Sequence, residues 1–170
     1  QRQKKREVEA RSSRNFTVSL VGYTNAGKST LMNALTESEV LVDNRLFSTL
    51  DTRTRLWDLN SGVAVLLSDT VGFIRNLPHG LVTSFHATLE EVSQADLLLH
   101  VVDASHPERE EQIKAVDEVL EELKCEEIPT ILIFNKIDLL QDHVEKTLLQ
   151  NRYPQALIVS ARTKEGFDDL

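Results

Sequence analysis

The sequence predicts a doubly wound α/β domain: a mostly parallel sheet of six strands with one antiparallel edge strand and helices on both faces. Three observations carry that prediction. Short apolar, β-branched runs alternate with segments of helical period, the pattern of a parallel sheet covered by crossover helices. A turn signal, Asn60-Ser61-Gly62, separates two strand candidates too closely for a crossover, so they pair as a hairpin and one edge strand runs antiparallel. The first strand passes through a glycine-containing loop directly into a helix.

In chain order, strands are expected at 16–21, 54–59, 63–68, 97–102, 130–134 and 156–159, and helices at 28–36, 81–94, 108–124 and 143–150. Residues 1–14 are basic and polar, opening on Gln1-Arg2-Gln3-Lys4-Lys5-Arg6, and read as the end of an upstream helical region or a linker; the domain itself is expected over 15–170. The closing Gly166-Phe167-Asp168-Asp169-Leu170 reads as the first turn of a further helix, so the final covering helix is expected to be truncated. Such a truncation would leave part of one sheet face uncovered.

A chain of 170 residues fits one domain with a single core. Its net charge of −8 argues against a generally basic nucleic-acid surface, and no DNA partner is expected; an acidic domain can still dock on RNA through a local patch. Cys125 is the lone cysteine and cannot form an internal disulfide, so nothing requires an oxidising compartment and a cytoplasmic location is expected. No apolar run approaches the ~18 residues of a membrane span.

The chemistry begins at Gly22-Tyr23-Thr24-Asn25-Ala26-Gly27-Lys28-Ser29-Thr30, which matches G-x-x-x-x-G-K-[ST] between a strand and a helix, the P-loop pattern. Its glycines let backbone N–H groups turn around phosphate oxygens, Lys28 supplies a point charge to the β- and γ-phosphates, and the Ser29 hydroxyl can ligate Mg2+. The third strand ends in Asp69-Thr70-Val71-Gly72, at the edge where open α/β sheets bind ligands. Asp69 is expected on the magnesium side, through water, and Gly72 completes the D-x-x-G element beside the γ-phosphate. The fifth strand ends in Asn135-Lys136-Ile137-Asp138, the N-K-x-D pattern of guanine-specific P-loop NTPases, which makes the fold a G domain. Guanine offers N1–H and its exocyclic amine side by side, and one carboxylate accepts both; adenine would leave Asp138 desolvated and unpaired. Asn135 can bond the purine edge and the Lys136 stem can cover the ring plane. Ser160-Ala161 resembles the element of such proteins whose backbone N–H, here that of Ala161, meets guanine O6.

From about Asn15 onward the chain resembles the GTPase domain of the HflX family, within the translation-factor-related GTPases. The residues that carry the resemblance are GYTNAGKSTL from Gly22, FSTLDT from Phe47, DTVGFIRNLPH from Asp69, LVTSFHATLEE from Leu81 and ADLLLHVVDAS from Ala95. The resemblance implies GTP hydrolysis, binding to the large ribosomal subunit and splitting of stalled ribosomes. It also selects Thr49, within Phe47-Ser48-Thr49-Leu50-Asp51-Thr52, as the threonine that closes on magnesium and the γ-phosphate. Spacing alone leaves Thr52 and Thr54 as competitors. Lys28, Thr49 and Gly72 are therefore the residues expected to act on the γ-phosphate, and Ser29, Thr49 and Asp69 those expected around the metal.

Many GTPases align the attacking water with a glutamine just after D-x-x-G. Phe73 stands there, and a phenyl ring cannot hold that water, so slow intrinsic hydrolysis is expected. The alternative is a binding-only G domain that signals by nucleotide occupancy. Arg75 and His79 follow in the same stretch and read as solvated loop residues. Asn25 occupies the P-loop position where potassium-activated GTPases of related families carry an asparagine. It has two readings: a ligand that helps hold K+ between the phosphates, or a side chain that only hydrogen-bonds within the loop.

Overall fold

The structure is a computed structural model that describes residues 16–36, 53–59, 63–70, 72 and 90–170. Thr49, Thr52, Phe73, Arg75, His79, residues 1–15 and residues 81–89 of the second expected helix lie outside the described residues. One sheet of six strands runs in the order β2-β3-β1-β4-β5-β6. The strands are β1 Thr17–Gly22, β2 Arg53–Asp58, β3 Ala64–Asp69, β4 Leu97–Asp103, β5 Thr130–Asn135 and β6 Leu157–Ile158. Every pairing is parallel except β2 with β3. The hairpin ends close through Leu59 N–H, which donates to the Val63 carbonyl at 2.9 Å. The predicted antiparallel edge strand is therefore β2.

Alternation along the strands builds the two faces. Val18 and Leu20 of β1, Val65 and Leu67 of β3, Leu99 and Val101 of β4 and Ile133 of β5 form one core with Leu31 and Met32 of α1 (Lys28–Thr36). Val21 and Leu98 turn the other way and meet Val116 and Leu120 of α2 (Arg109–Glu122). Val102 and Phe134 share that second side with Leu149 of α3 (His143–Arg152). Strands buried on both faces read as continuous apolar runs, which is why β4 and β5 could be located from sequence.

The elements end where local chemistry ends them. Asp142 caps α3 by accepting from Val144 N–H at 3.1 Å, the usual way an N-terminal orphan donor is satisfied. Helix α2 stops short of the expected residue 124, with Lys124 in the left-handed region at φ 56° and its N–H donated to the Glu121 carbonyl at 2.9 Å. The described end of the expected 81–94 helix is a 3₁₀ turn, Val92–Gln94. Its tighter i→i+3 bonds turn the chain so that Asp96 N–H reaches the Thr17 carbonyl at 2.9 Å. The segment read as the first turn of a last helix is likewise a 3₁₀ turn, Phe167–Asp169, and Phe167 and Leu170 pack onto the core of the α1 face.

Parallel pairing brings the strand ends together. Leu20 is level with Asp69, Gly22 with Val101, and Asp103 with Asn135. The chemistry-bearing residues therefore emerge along one edge of the sheet, beside the point where strand order reverses about β1.

Phe134 sets the packing behind that edge. It is fully buried, with its ring centroid 5.1 Å from that of Tyr153. Phe134→Ala is expected to lower unfolding stability by about 3–5 kcal/mol, the range for a buried phenyl group and the cavity it leaves. Urea denaturation followed by circular dichroism measures it, and a loss below about 1 kcal/mol would contradict the packing described.

Candidate functional site

The P-loop leaves β1 at Gly22 and enters α1 at Lys28. Its turn is closed by Ala26 N–H, which donates to the Tyr23 carbonyl at 3.2 Å, and the helix begins as Leu31 N–H reaches the Gly27 carbonyl at 2.9 Å. Gly27 has φ 92°, and a Cβ there would overlap the Asn135 amide nitrogen. No other residue meets both demands. The N–H groups of the first turn of α1 lack intrahelical acceptors by helix geometry, which makes this end of the helix an anion site.

Lys28 is buried, and its ammonium lies 3.4 Å from the Gly22 carbonyl. Burial pushes the Lys28 pKa below the usual lysine range, while the nearby Asp69 carboxylate works the other way. A buried cation with so little compensation favours the arrival of an anion. Gly72 stands over the same place: a Cβ there would lie 3.2 Å from Lys28 Nζ and 3.0 Å from Thr24 Cα, so a side chain would crowd the ammonium.

The Ser29 hydroxyl donates to Asp69 Oδ2 at 2.6 Å. This joins a hydroxyl and a carboxylate from the two motifs predicted to face magnesium, a hard oxygen donor set that fits Mg2+. Among the described residues no group of three or more His, Cys, Asp or Glu side chains could hold a metal ion. A dication here would take its remaining ligands from phosphate, water and hydroxyl oxygens. Thr54, one alternative to Thr49, lies within β2 with its hydroxyl 2.9 Å from that of Ser68.

The residues predicted to recognise the base are tied directly to the P-loop. Asn135 Nδ2 donates to the Ala26 carbonyl at 3.1 Å, and its Oδ1 accepts the Ala161 N–H at 2.9 Å. An amide nitrogen carries two N–H groups and its oxygen two lone pairs, so each atom keeps capacity for a second partner. Lys136, left-handed at φ 64°, donates to the Asn25 carbonyl at 2.6 Å and to Asp103 Oδ2 at 2.7 Å. The Ser160 hydroxyl donates to Asp138 Oδ1 at 2.6 Å, and Arg162 Nε lies 3.5 Å from Asp138 Oδ2. Gly27, Thr30, Asn135, Lys136, Asp138 and Ala161 line a pocket of about 180 Å³. The described residues predicted for the site, Gly22 to Thr30, Asp69, Gly72, Asn135 to Asp138 and Ser160-Ala161, thus gather along one sheet edge.

Three residues escaped the sequence reading. Asp103 holds Lys136; Arg162 neighbours Asp138; and buried Thr70 ties the end of β3 to β1 by donating to the Leu20 carbonyl at 2.7 Å. Asp103 had a usable signal, since it ends β4 level with Asn135 at the end of β5. Thr70 and Arg162 had none beyond adjacency to a motif.

A model described as 50S ribosome-binding GTPase matches residues 17–136. The chain belongs to this GTPase family. Its relatives place it with HflX: it is 53% identical over 157 residues to GTPase HflX of Magnetococcus marinus, covering 91% of this chain and 36% of that protein. It is 50% identical to GTPase HflX of Escherichia coli K12, with the same 91% and 36% coverage, and 48% identical over all of its residues to that of Caldanaerobacter subterraneus, covering 37% of that protein. The HflX-type chain therefore spans roughly a third of the length of these relatives. Among solved structures it is similar to a GTP-binding protein of Sulfolobus solfataricus in complex with GDP, with TM-score 0.73, 26% identity and coverage of 96% of this chain and 52% of that one. Era of Aquifex aeolicus, at TM-score 0.67 and 23% identity over 90% of this chain and 53% of its own, shares the fold. Among the described residues no helix is long and apolar enough to cross a membrane.

Behind the P-loop of this HflX-family domain lies a second buried titratable group. His100 pairs in register with Val21, and its Nδ1 lies 3.7 Å from Asp117 Oδ1. Burial, helped by the Lys28 charge, holds the imidazole at a pKa of about 4. At neutral pH the ring is uncharged and the Asp117 approach is not an ion pair. The unfolded chain, with a histidine pKa near ~6.5, takes up the proton first as pH falls. Stability is thus fully present above ~6.5 and is lost between there and about 4. Replacing His100 with Phe is expected to reduce the stability lost between pH 7 and pH 4 by roughly 3 kcal/mol, measured by urea unfolding at both pH values. Identical acid losses in variant and parent would contradict a buried neutral imidazole.

Proposed function

We propose that this chain is the magnesium-dependent, GTP-hydrolysing switch domain of an HflX-like protein that binds the large ribosomal subunit and splits stalled ribosomes, with slow hydrolysis by the chain alone. The observation that carries this reading is the locking of the base-recognition loop onto the P-loop, through Asn135 to Ala26 and Lys136 to Asn25. Phosphate chemistry and guanine selection then belong to one site. The matching GTPase family and the HflX relatives support the ribosomal partner.

Each residue has a part that its position suits. Lys28 neutralises the phosphate oxygens on which charge builds up, and the first turn of α1 donates its N–H groups to them. Ser29 would ligate Mg2+ and Asp69 would hold it through water, and the ion when bound would further neutralise the phosphates. Asp138 accepts the two adjacent donors of guanine, one on each oxygen, with the Ser160 hydroxyl orienting the carboxylate through a second lone pair of Oδ1. Ala161 N–H meets guanine O6. Thr49 would close on the γ-phosphate; Asn25 either helps hold K+, which would add positive charge where other GTPases insert an arginine, or only hydrogen-bonds within the loop. Phe73 supplies no hydrogen bond to the attacking water, so the ribosome or a rearrangement must complete the site.

Phosphate release from GTP and ATP, with and without large ribosomal subunits and in potassium or sodium at equal ionic strength, tests the reading. The expected outcome is slow release from GTP alone, faster with the subunit, and none from ATP; a potassium advantage selects the K+ reading of Asn25 and equal rates in both salts select the loop-bonding one. Tight GTP binding with no release under any of these conditions would establish the occupancy-only alternative. Asp138→Asn is expected to weaken GTP binding by roughly tenfold or more and to shift preference toward xanthosine triphosphate, because an amide donates to the new purine oxygen where a carboxylate is repelled. Competition against a fluorescent guanine nucleotide measures it, and an unchanged order of preference would remove Asp138 from the base site.

A further inference from the structure

The C-terminal residue of β4 is a carboxylate that neither the phosphate nor the base motif contains. Asp103 Oδ2 accepts from Lys136 Nζ at 2.7 Å, and the same ammonium donates to the Asn25 carbonyl at 2.6 Å. On its other oxygen, Asp103 Oδ1 accepts the Ser105 N–H at 2.9 Å and the Ser105 hydroxyl at 2.6 Å. The carboxylate is 13% exposed and each of these three contacts is a donor, so it is a fixed rather than a swinging acceptor. The two backbones it governs are both unusual. Asn25 and Lys136 are left-handed at φ 64° each, without being glycine. Left-handed non-glycine residues persist only where the surroundings over-determine them. One ammonium, held by one carboxylate, joins the two.

We propose that Asp103 is a positioning residue for nucleotide retention: it fixes the Lys136 ammonium across the Asn25 carbonyl, and so sets both the lysine stem beside the base pocket and the path of the P-loop. The Lys136 stem helps line the pocket of about 180 Å³, and a stem whose tip is anchored presents a fixed wall to a base. The Asn25 carbonyl, drawn toward Lys136, is held away from the phosphate side of the loop, where a carbonyl oxygen would repel an anion. Without Asp103 the ammonium would be free to turn to solvent, and both loops would lose their common anchor. Nucleotide already bound would then leave faster. This inference rests on the guanine-nucleotide reading of the site and adds to it a residue that acts through Lys136 without touching the ligand.

The test is stopped-flow dissociation of fluorescently labelled GDP from the 170-residue chain and its variants. Asp103→Asn is expected to raise the dissociation rate by roughly tenfold, the size associated with one lost charge-assisted hydrogen bond. Ser105→Ala, which removes the hydroxyl donor to Oδ1 and leaves the backbone N–H in place, is expected to raise it by roughly threefold. Lys136→Met keeps most of the stem and removes the ammonium. In that background Asp103→Asn should add nothing, because the partner through which it acts is gone. A merely structural aspartate would instead give losses that add. Wild-type dissociation from Asp103→Asn, or additive effects with Lys136→Met, would overturn the inference while leaving the guanine-nucleotide reading intact. Failure of the parent chain to bind GDP would overturn both. If circular dichroism shows Asp103→Asn unfolded, Ser105→Ala decides, and a wild-type rate there overturns the inference.

Discussion

Parallel pairing of β1 with both β3 and β4 is the constraint on which the rest of the site depends. Because Leu20 is level with Asp69 and Gly22 with Val101, the loops after β1 and β3 leave the sheet side by side, and Ser29 meets Asp69 at 2.6 Å across 40 residues of sequence. The same logic carries to β4 and β5, where Asp103 is level with Asn135 and the loop that follows reaches back to the P-loop. A one-residue slip in any of these pairings would turn the apolar side chains of that strand to the wrong face. The two cores on opposite sides of the sheet therefore hold the register, and the register holds the chemistry.

The electrostatics follow from where that register places Lys28. Desolvation depresses its pKa and the field of Asp69 only partly restores it, so the turn between β1 and α1 carries a buried cation that the described residues compensate only in part. His100, on the opposite side of the sheet from α1, is neutral partly because Lys28 is charged nearby. Charging both would place two cations around one buried strand end, and the histidine, with the lower intrinsic pKa, is the group that gives up its proton.

Much of this was legible in the sequence because its signals are local. The bounds of α1 were read correctly, since glycine, lysine and hydroxyl residues in fixed order specify both the loop and the first helical turn. The hairpin between β2 and β3 followed from three turn residues, though β2 begins one residue earlier than its apolar pattern implied. The end of the 81–94 segment was misread because helical periodicity continues through Val92 while the Asp96–Thr17 bonds demand a tighter turn. Lys136 was read for its stem, and the role of its ammonium was missed. The carbonyl it binds lies 111 residues away and its carboxylate partner 33 away, separations at which no local pattern operates.

The loop after β5 and the P-loop are joined by side chains that reach backbone carbonyls directly. Asn135 spends one N–H on Ala26 and one lone pair on Ala161, so its amide fixes three segments at once: the P-loop, the end of β5 and the loop after β6. Gly27 must remain glycine for the same reason, because a methyl group there would displace the amide before it touched any phosphate. These two loops are held by a side-chain amide and an ammonium directed at backbone carbonyls. Such contacts specify geometry through atoms that every residue possesses, which is why the lock is strong in the fold and faint in the sequence.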